Sequence, residues 1–320
     1  MLDQTKLPEK ISYRRIKDYR LLIKAIRELQ IRGAPLIGVA AAYGVALEAV
    51  KTKRDLKKRL CQVIKELKNA RPTGFNIFWT LKRMEGILSR QLPEGELRTR
   101  IVEEAVRIDG EEKKRCDRIG RHGAKLLEDG TKVLTICNTG ILATTGIGTA
   151  LGVIYKAKEE GKDITVFVCE TRPLLQGARL TTWELKKKGI KAYLITDNMV
   201  GSVMKDIDIV LTGADRIARN FDFANKIGTL TLAICAWYYK KPFYCVAPTS
   251  TIDSSLKDGD EIIVEERKEE EVLTCRGKRI APKGVKVFNP AFDVTPHSLL
   301  TGIITEKGII KLDRRTHPIP

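Results

Sequence analysis

Apolar positions recur at helical spacing through the first third of the chain. Leu22, Ala25, Ile26 and Leu29 form one stripe, Leu60, Val63, Ile64 and Leu67 another, and charged residues fill the positions between. This period predicts a mostly helical stretch from about Tyr19 to Leu127, broken where Gly33-Ala34-Pro35 and Arg71-Pro72-Thr73-Gly74 supply helix breakers. Each break carries an arginine at its start, Arg32 or Arg71.

After Glu128-Asp129-Gly130 the period changes. Short β-branched runs appear at Val133–Ile136, Ile164–Val168, Ala192–Ile195, Ile207–Leu211, Phe243–Val246 and Val285–Phe288. Helical patterns around 141–160, 173–188, 198–204 and 224–240 separate the first five. That alternation predicts a mostly parallel, doubly wound sheet, and hence an α/β protein with a helical domain over 1–128 and a sheet domain over 129–320.

The informative polar residues follow the strands: Cys137-Asn138-Thr139-Gly140, Glu170-Thr171-Arg172-Pro173, Thr196-Asp197-Asn198 and Gly213-Ala214-Asp215-Arg216. In an open parallel sheet all carboxyl ends share one edge, so these groups can converge on one crevice. Cys137 reads either as a reactive thiol, its thiolate favoured by a helix N-terminus, or as a buried structural cysteine. Asp215 reads either as a proton donor whose pKa is raised by apolar walls or as the N-cap of a helix beginning at Arg216.

Composition narrows the classes. The 320 residues are 43% hydrophobic and 31% charged, the profile of a folded chain. The longest apolar run, Ala34 to Leu47, has 14 residues, short of the roughly 20 that span a bilayer, and no signal-peptide pattern precedes it. Seven cysteines without a C-x-x-C pair and three histidines, one of them His317 in a proline-rich tail, predict a reducing cytoplasm and neither a metal site nor a disulfide framework. The other six cysteines lie in patterns that predict burial. Net charge is +18, concentrated in residues 1–128 with 30 Lys and Arg against 17 Asp and Glu. Its interleaving with apolar residues reads as a solvated helix face, with phosphorylated ligands as the alternative, and the few aromatics argue against nucleic acid. Gly146, Gly148 and Gly152 come about ten residues too late after the strand for a dinucleotide fingerprint and read as packing glycines. Neither a nucleotide phosphate loop nor a G-x-S-x-G elbow occurs.

Six motifs resemble, in order and over almost the whole chain, the methylthioribose-1-phosphate isomerase family. They are Ile31-Arg32-Gly33-Ala34-Pro35 with Gly38 to Gly44, Cys137 to Gly140, Glu170 to Pro173 with Gln176 to Arg179, Gly213 to Ile217, Ala224 to Thr229, and Asn289 to Pro296. The superfamily also holds regulatory subunits of translation initiation factor 2B and ribose-1,5-bisphosphate isomerases. The resemblance implies a Rossmann-like second domain, a homodimer, no cofactor, and a place in methionine salvage. It implies that Cys137 and Asp215 carry the chemistry, and that Arg32, Gly33, Ala34, Arg71, Gln176, Asn225 and Lys226 bind substrate.

The implied reaction converts 5-methylthioribose 1-phosphate to 5-methylthioribulose 1-phosphate. Three departures bear on the 5-substituent: Ile136 stands where the family has a histidine, Cys169 where it has an acidic residue, and the family's first strand is not evident before Leu2-Asp3-Gln4. They keep 5-deoxyribose 1-phosphate open as a substrate. The rival functions are a ribose-1,5-bisphosphate isomerase and a non-catalytic regulatory subunit.

Overall fold

The structure is a computed structural model and describes residues 1–71 and 74–313. Pro72 and Thr73 of the second helix break, and His317, lie outside the described residues. Five helices build the first part: α1 (Tyr19–Arg27), α2 (Ala34–Lys51), α3 (Leu56–Lys68), α4 (Phe75–Leu88) and α5 (Glu94–Ala124). Local chemistry sets their ends. The Asp18 side chain accepts the Arg20 N–H at 2.7 Å as N-cap of α1, and Pro35 sits in the first turn of α2, where its missing N–H costs nothing.

Helix α2 extends the apolar run to 18 residues, long and apolar enough to cross a membrane by length and composition. Most of it is buried, packed on α4 and α5 in a core with Leu22, Ile26, Leu60 and Leu67. The 31-residue α5 serves two cores. Leu97, Ile101, Ala105 and Ile108 join the helical core, whereas Ile119 and Ala124 join the core under the sheet.

The strands follow as β1 (Lys132–Thr135), β2 (Thr165–Cys169), β3 (Lys191–Ile195), β4 (Ile209–Thr212), β5 (Arg216–Ala218), β6 (Phe223–Lys226), β7 (Phe243–Val246), β8 (Ile252–Asp253), β9 (Thr274–Cys275), β10 (Lys278–Arg279), β11 (Phe292–Thr295), β12 (Gly302–Thr305) and β13 (Gly308–Lys311). The main sheet runs β3-β2-β1-β4-β7-β12-β13, parallel except for the antiparallel edge strand β13. The chain winds one way from β1 to β3 and then crosses to β4 on the other side, so a topological switch lies between β1 and β4, where such folds open a crevice. A second sheet, β8-β5-β6-β11, stands beyond the carboxyl end of β4.

Several expectations change. Val285–Phe288 is not a strand: its alternation finds no partner, and Phe288 is 81% exposed. The helical pattern over 224–240 opens with strand β6, whose Asn225 and Lys226 pair with Asp293 and Phe292 of β11, and the helix α7 runs only over Thr229–Tyr238. The helix after β1, α6, spans Ala150–Glu159, behind a single 3-10 turn at Ile141–Ala143. The glycines before α6 act in packing: a Cβ on Gly148, whose φ is +100°, would stand 2.5 Å from the Thr139 carbonyl oxygen.

Candidate active site

The switch between β1 and β4 opens a cleft covered by the helical part. Arg32, Gly33, Ala34 and Arg71 line it from the helices. Cys137, Gln176, Asp215, Asn225 and Lys226 line it from the sheets, so every nominated residue faces one cavity. The approach of the two walls depends on Gly33. Its φ of +96° suits glycine, and a Cβ there would lie 2.5 Å from the Ala143 carbonyl oxygen.

Cys137 follows β1 in a left-handed conformation with φ of 63°. Its N–H donates to Thr171 Oγ1 at 2.9 Å, and its carbonyl accepts the Thr181 hydroxyl at 2.6 Å. Asp197 in turn accepts the N–H groups of Thr171 and Arg172 at 2.8 and 2.7 Å, so the loops after β2 and β3 brace the cysteine backbone. The expected helix dipole is replaced by a side chain: α6 begins only at Ala150, and Arg32 Nη1 donates to Cys137 Sγ at 3.7 Å.

Arg32 is itself oriented. Its Nη2 donates to the Asn138 carbonyl at 2.9 Å and to Asn138 Oδ1. The Asn138 amide donates onward to the buried Glu184 carboxylate at 2.8 Å. Glu184 also accepts Ile141 N–H at 2.7 Å, Leu142 N–H at 3.2 Å and the Tyr155 hydroxyl at 2.9 Å. One buried carboxylate therefore sets the loop that carries Cys137 and Asn138, and through Asn138 it sets the guanidinium at the sulfur.

Asp215 follows β4, and its N–H donates to the Ala224 carbonyl at 2.9 Å. Arg216 begins strand β5, not a helix, so the N-cap alternative falls. Asp215 lines the cleft, and the surrounding protein removes enough solvation from its carboxyl to raise its pKa, with Arg71, Lys226 and Arg32 opposing. Lys226 Nζ donates to the Ala291 carbonyl at 2.9 Å. Burial lowers its pKa, while Cys137 and Asp215 act to restore it.

Among the described residues, two buried polar atoms of the cleft lack a hydrogen-bond partner: Arg32 Nε, a donor, and Gln176 Oε1, an acceptor. Such an atom costs about 1–3 kcal/mol unless a ligand completes it. Ligand oxygens and hydroxyls have the complementary chemistry. The Asn225 amide, by contrast, already donates to Thr229 Oγ1 at 2.8 Å.

Other lining residues escaped the sequence reading. Leu29, Leu174, Val246 and Pro248 give the cleft an apolar wall beside Phe292, over whose ring lie Lys226 Nζ at 4.9 Å and the Arg71 guanidinium at 5.6 Å. Arg267 lines it too, from a run of charge that reads as solvated surface. Phe292 lay within a quoted motif, but nothing in the local pattern marks Arg267. Ile136 and Cys169 are buried and do not line the cleft, so neither departure replaces a lining side chain. The cysteines need one correction: Cys116, Cys169 and Cys245 are buried with their thiol pKa values pushed up by burial, but Cys61 is exposed and Cys235 and Cys275 are half-buried.

A profile described as the initiation factor 2 subunit family matches residues 30–312. The methylthioribose-1-phosphate isomerase of Thermotoga neapolitana is 54% identical over 314 residues, covering 97% of this chain and 92% of the relative. That of Dehalococcoides mccartyi is 48% identical, covering 98% and 96%. Among solved structures, the 5-methylthioribose 1-phosphate isomerase of Pyrococcus horikoshii matches with a TM-score of 0.89 and 42% identity, covering 98% of this chain and 90% of that one. A structure titled translation initiation factor eIF-2B, subunit delta, from A. fulgidus matches with a TM-score of 0.85 and 44% identity, covering 97% and 93%.

Proposed function

The chain belongs to the initiation factor 2 subunit family, and within it we propose an aldose-ketose isomerase that converts 5-methylthioribose 1-phosphate to 5-methylthioribulose 1-phosphate in methionine salvage. The observation that carries this reading is the meeting of Cys137 and Asp215 in a cleft lined by arginine and lysine. A subunit that only bound a phosphorylated signal would need the cations but not an acid and a thiol together. Guanidinium and ammonium groups suit the phosphate, Gln176 suits a hydroxyl, and the apolar wall suits a methylthio group.

The anomeric phosphate masks the aldehyde, so the ring must open during turnover. Asp215, its pKa raised, donates a proton to the ring oxygen as the bond from C1 to that oxygen breaks. Cys137 takes the proton from C2, and the electron pair of that bond forms the C1–C2 double bond of an enediol-like state. Cys137 then returns that proton to C1 while the ionised Asp215 takes the C2 hydroxyl proton, which leaves the carbonyl at C2 and restores both groups. Arg32, which donates to that sulfur, stands beside the thiolate that accepts the proton. The Rossmann-like part over 129–320, the helical part over 1–128, and a cofactor-free homodimer working in the cytoplasm complete the proposal.

The test is turnover of ribose 1-phosphates bearing methylthio, hydrogen, hydroxyl or phosphate at C5, in excess chelator and without nucleotide. Preference for methylthio is expected. Preference for hydrogen moves the substrate to 5-deoxyribose 1-phosphate, preference for phosphate favours a bisphosphate isomerase, and no turnover of any of them favours the regulatory subunit. Solvent deuterium at C1 of the product is the expected mark of the proton path, whereas complete retention of C2 deuterium with no solvent label at C1 would favour a hydride shift.

A further inference from the structure

Seven consecutive charged residues run from Glu265 to Glu271, yet the third of them, Arg267, is a wall of the cleft. Its guanidinium is clamped from two sides. Nε lies 3.0 and 2.9 Å from the Glu271 oxygens, Nη2 donates to Glu271 at 2.6 Å, and Nη1 donates to Glu265 Oε1 at 2.8 Å. The other Glu265 oxygen accepts Arg71 Nε at 3.4 Å. A single carboxylate thus bridges two guanidinium groups, one carried by the helical wall of the cleft and one by the α/β wall. Lys226 and Arg71 share the Phe292 ring beside them.

A guanidinium has five N–H donors in a rigid fork, and the two carboxylates take the Nε–H and one N–H on each terminal nitrogen of Arg267, so one on Nη1 and one on Nη2 remain for a second anion. A phosphate, with more oxygens than one cation can satisfy, is the substrate group that uses such a pair. We propose that Arg267 is a further ligand for the substrate phosphate and that Glu265 is a positioning residue that holds Arg267 and Arg71 toward it as a pair. This rests on the sugar-phosphate reading above. It also gives the charged run a function: Glu271 fixes Arg267 from behind, and Glu265 joins it to the opposite wall.

The experiment compares the full-length protein with Arg267→Lys, Arg267→Gln and Glu265→Gln. It measures kcat and KM on 5-methylthioribose 1-phosphate, competitive inhibition by inorganic phosphate, and the thermal midpoint. In Arg267→Gln, KM and the phosphate inhibition constant should both rise about ten-fold or more, the effect of losing one charge-assisted hydrogen bond, with kcat changed much less. Arg267→Lys should recover part of both, and Glu265→Gln should raise both less than Arg267→Gln does. A purely structural arginine would move the thermal midpoint and leave the phosphate constant alone. That result, or a fall in kcat at unchanged KM, overturns the proposal. If Arg267→Gln fails to fold, Arg267→Lys and Glu265→Gln decide by the same readouts. Wild-type protein that does not turn over the sugar phosphate sinks the functional reading instead, and calorimetric titration of the same proteins with inorganic phosphate then decides for or against Arg267.

Discussion

Arg32 and Cys137, 105 residues apart, meet in the cleft, with Nη1 of the guanidinium donating to the sulfur at 3.7 Å. The arginine comes from the turn before α2 and the cysteine from the end of β1. Neither the helices nor the sheet alone holds both. The pair is therefore assembled by the docking of the two parts.

Cys137→Ser supplies a far weaker base, and Asp215→Asn has no proton for the ring oxygen. Each should lower kcat by about 10²–10⁴. Because both act on one substrate, the double variant should lose much less than the product of the two, as steady-state kinetics of the four proteins will measure. Full activity in Cys137→Ser would end the catalytic role.

Arg32→Ala and Arg71→Ala should weaken substrate binding by roughly 1.5–3 kcal/mol each, read as a rise in KM. Lysine should rescue Arg71 better than Arg32. Arg32 uses separate nitrogens for Cys137 and Asn138, which an ammonium on a flexible stem cannot reproduce. Equal rescue at the two positions would contradict the forked role of Arg32.

Glu184→Gln keeps the shape but turns a carboxylate oxygen into an N–H donor facing other donors. Stability should fall by about 1–3 kcal/mol in denaturant titration. Turnover should fall as well, although Glu184 is not among the residues that line the cleft, because Asn138 and Arg32 lose their anchor. A variant that loses stability but keeps kcat would show that the relay to Arg32 is only structural.

Iodoacetamide should label Cys61 and Cys137 for different reasons. Cys61 reacts because it is exposed on α3, and bound sugar phosphate should leave its rate unchanged. Cys137 reacts from the cleft, so substrate should protect it. Peptide mass spectrometry separates the two, and equal protection of both, or of neither, would remove Cys137 from the binding site.

Asp215 and Lys226 bend the pH profile in the same direction. The raised pKa of Asp215 keeps its acid form to higher pH than an ordinary aspartic acid, so the proton-donating form is present below that pKa and lost above it. The lowered pKa of Lys226 makes its ammonium lose charge earlier than an ordinary lysine. Both effects reduce kcat/KM as pH rises. Asp215→Asn should remove the first limb and leave the second, which a pH profile of the residual activity will resolve.

The parallel sheet was legible because strands buried on both faces read as continuous β-branched runs: all of Ile209 to Thr212 is buried in β4. The second sheet was not. Its strands β6 and β11 carry Asn225, Lys226 and Asp293, polar residues that line the cleft or hold the start of α7, so the apolar signal of a strand is absent. Val285–Phe288 shows the opposite error, a strand-like pattern with no neighbour to pair with. Cys137 and Asp215 stood out by position at strand ends, Arg32 and Arg71 by the breaks they open, and Gln176 and Lys226 only through family motifs. Arg267 was hidden because its two carboxylate partners sit two residues before it and four after it. That spacing looks the same whether the arginine faces solvent or a cavity.

Helix α5 gives the molecule an inheritance rule. Its N-terminal half belongs to the helical core and its C-terminal end to the core under the sheet, so one rod is a shared beam of two rooms. A recombinant that joins residues 1–128 of this chain to the remainder of a diverged relative would set Ile119 and Ala124 against a foreign β1 and α6. A crossover inside the helix would split the beam at the point where the load passes. Helices α2 and α6 pack on α5 to nearly the same extent, so a successful chimera should take α2, α5, α6 and β12 from one parent.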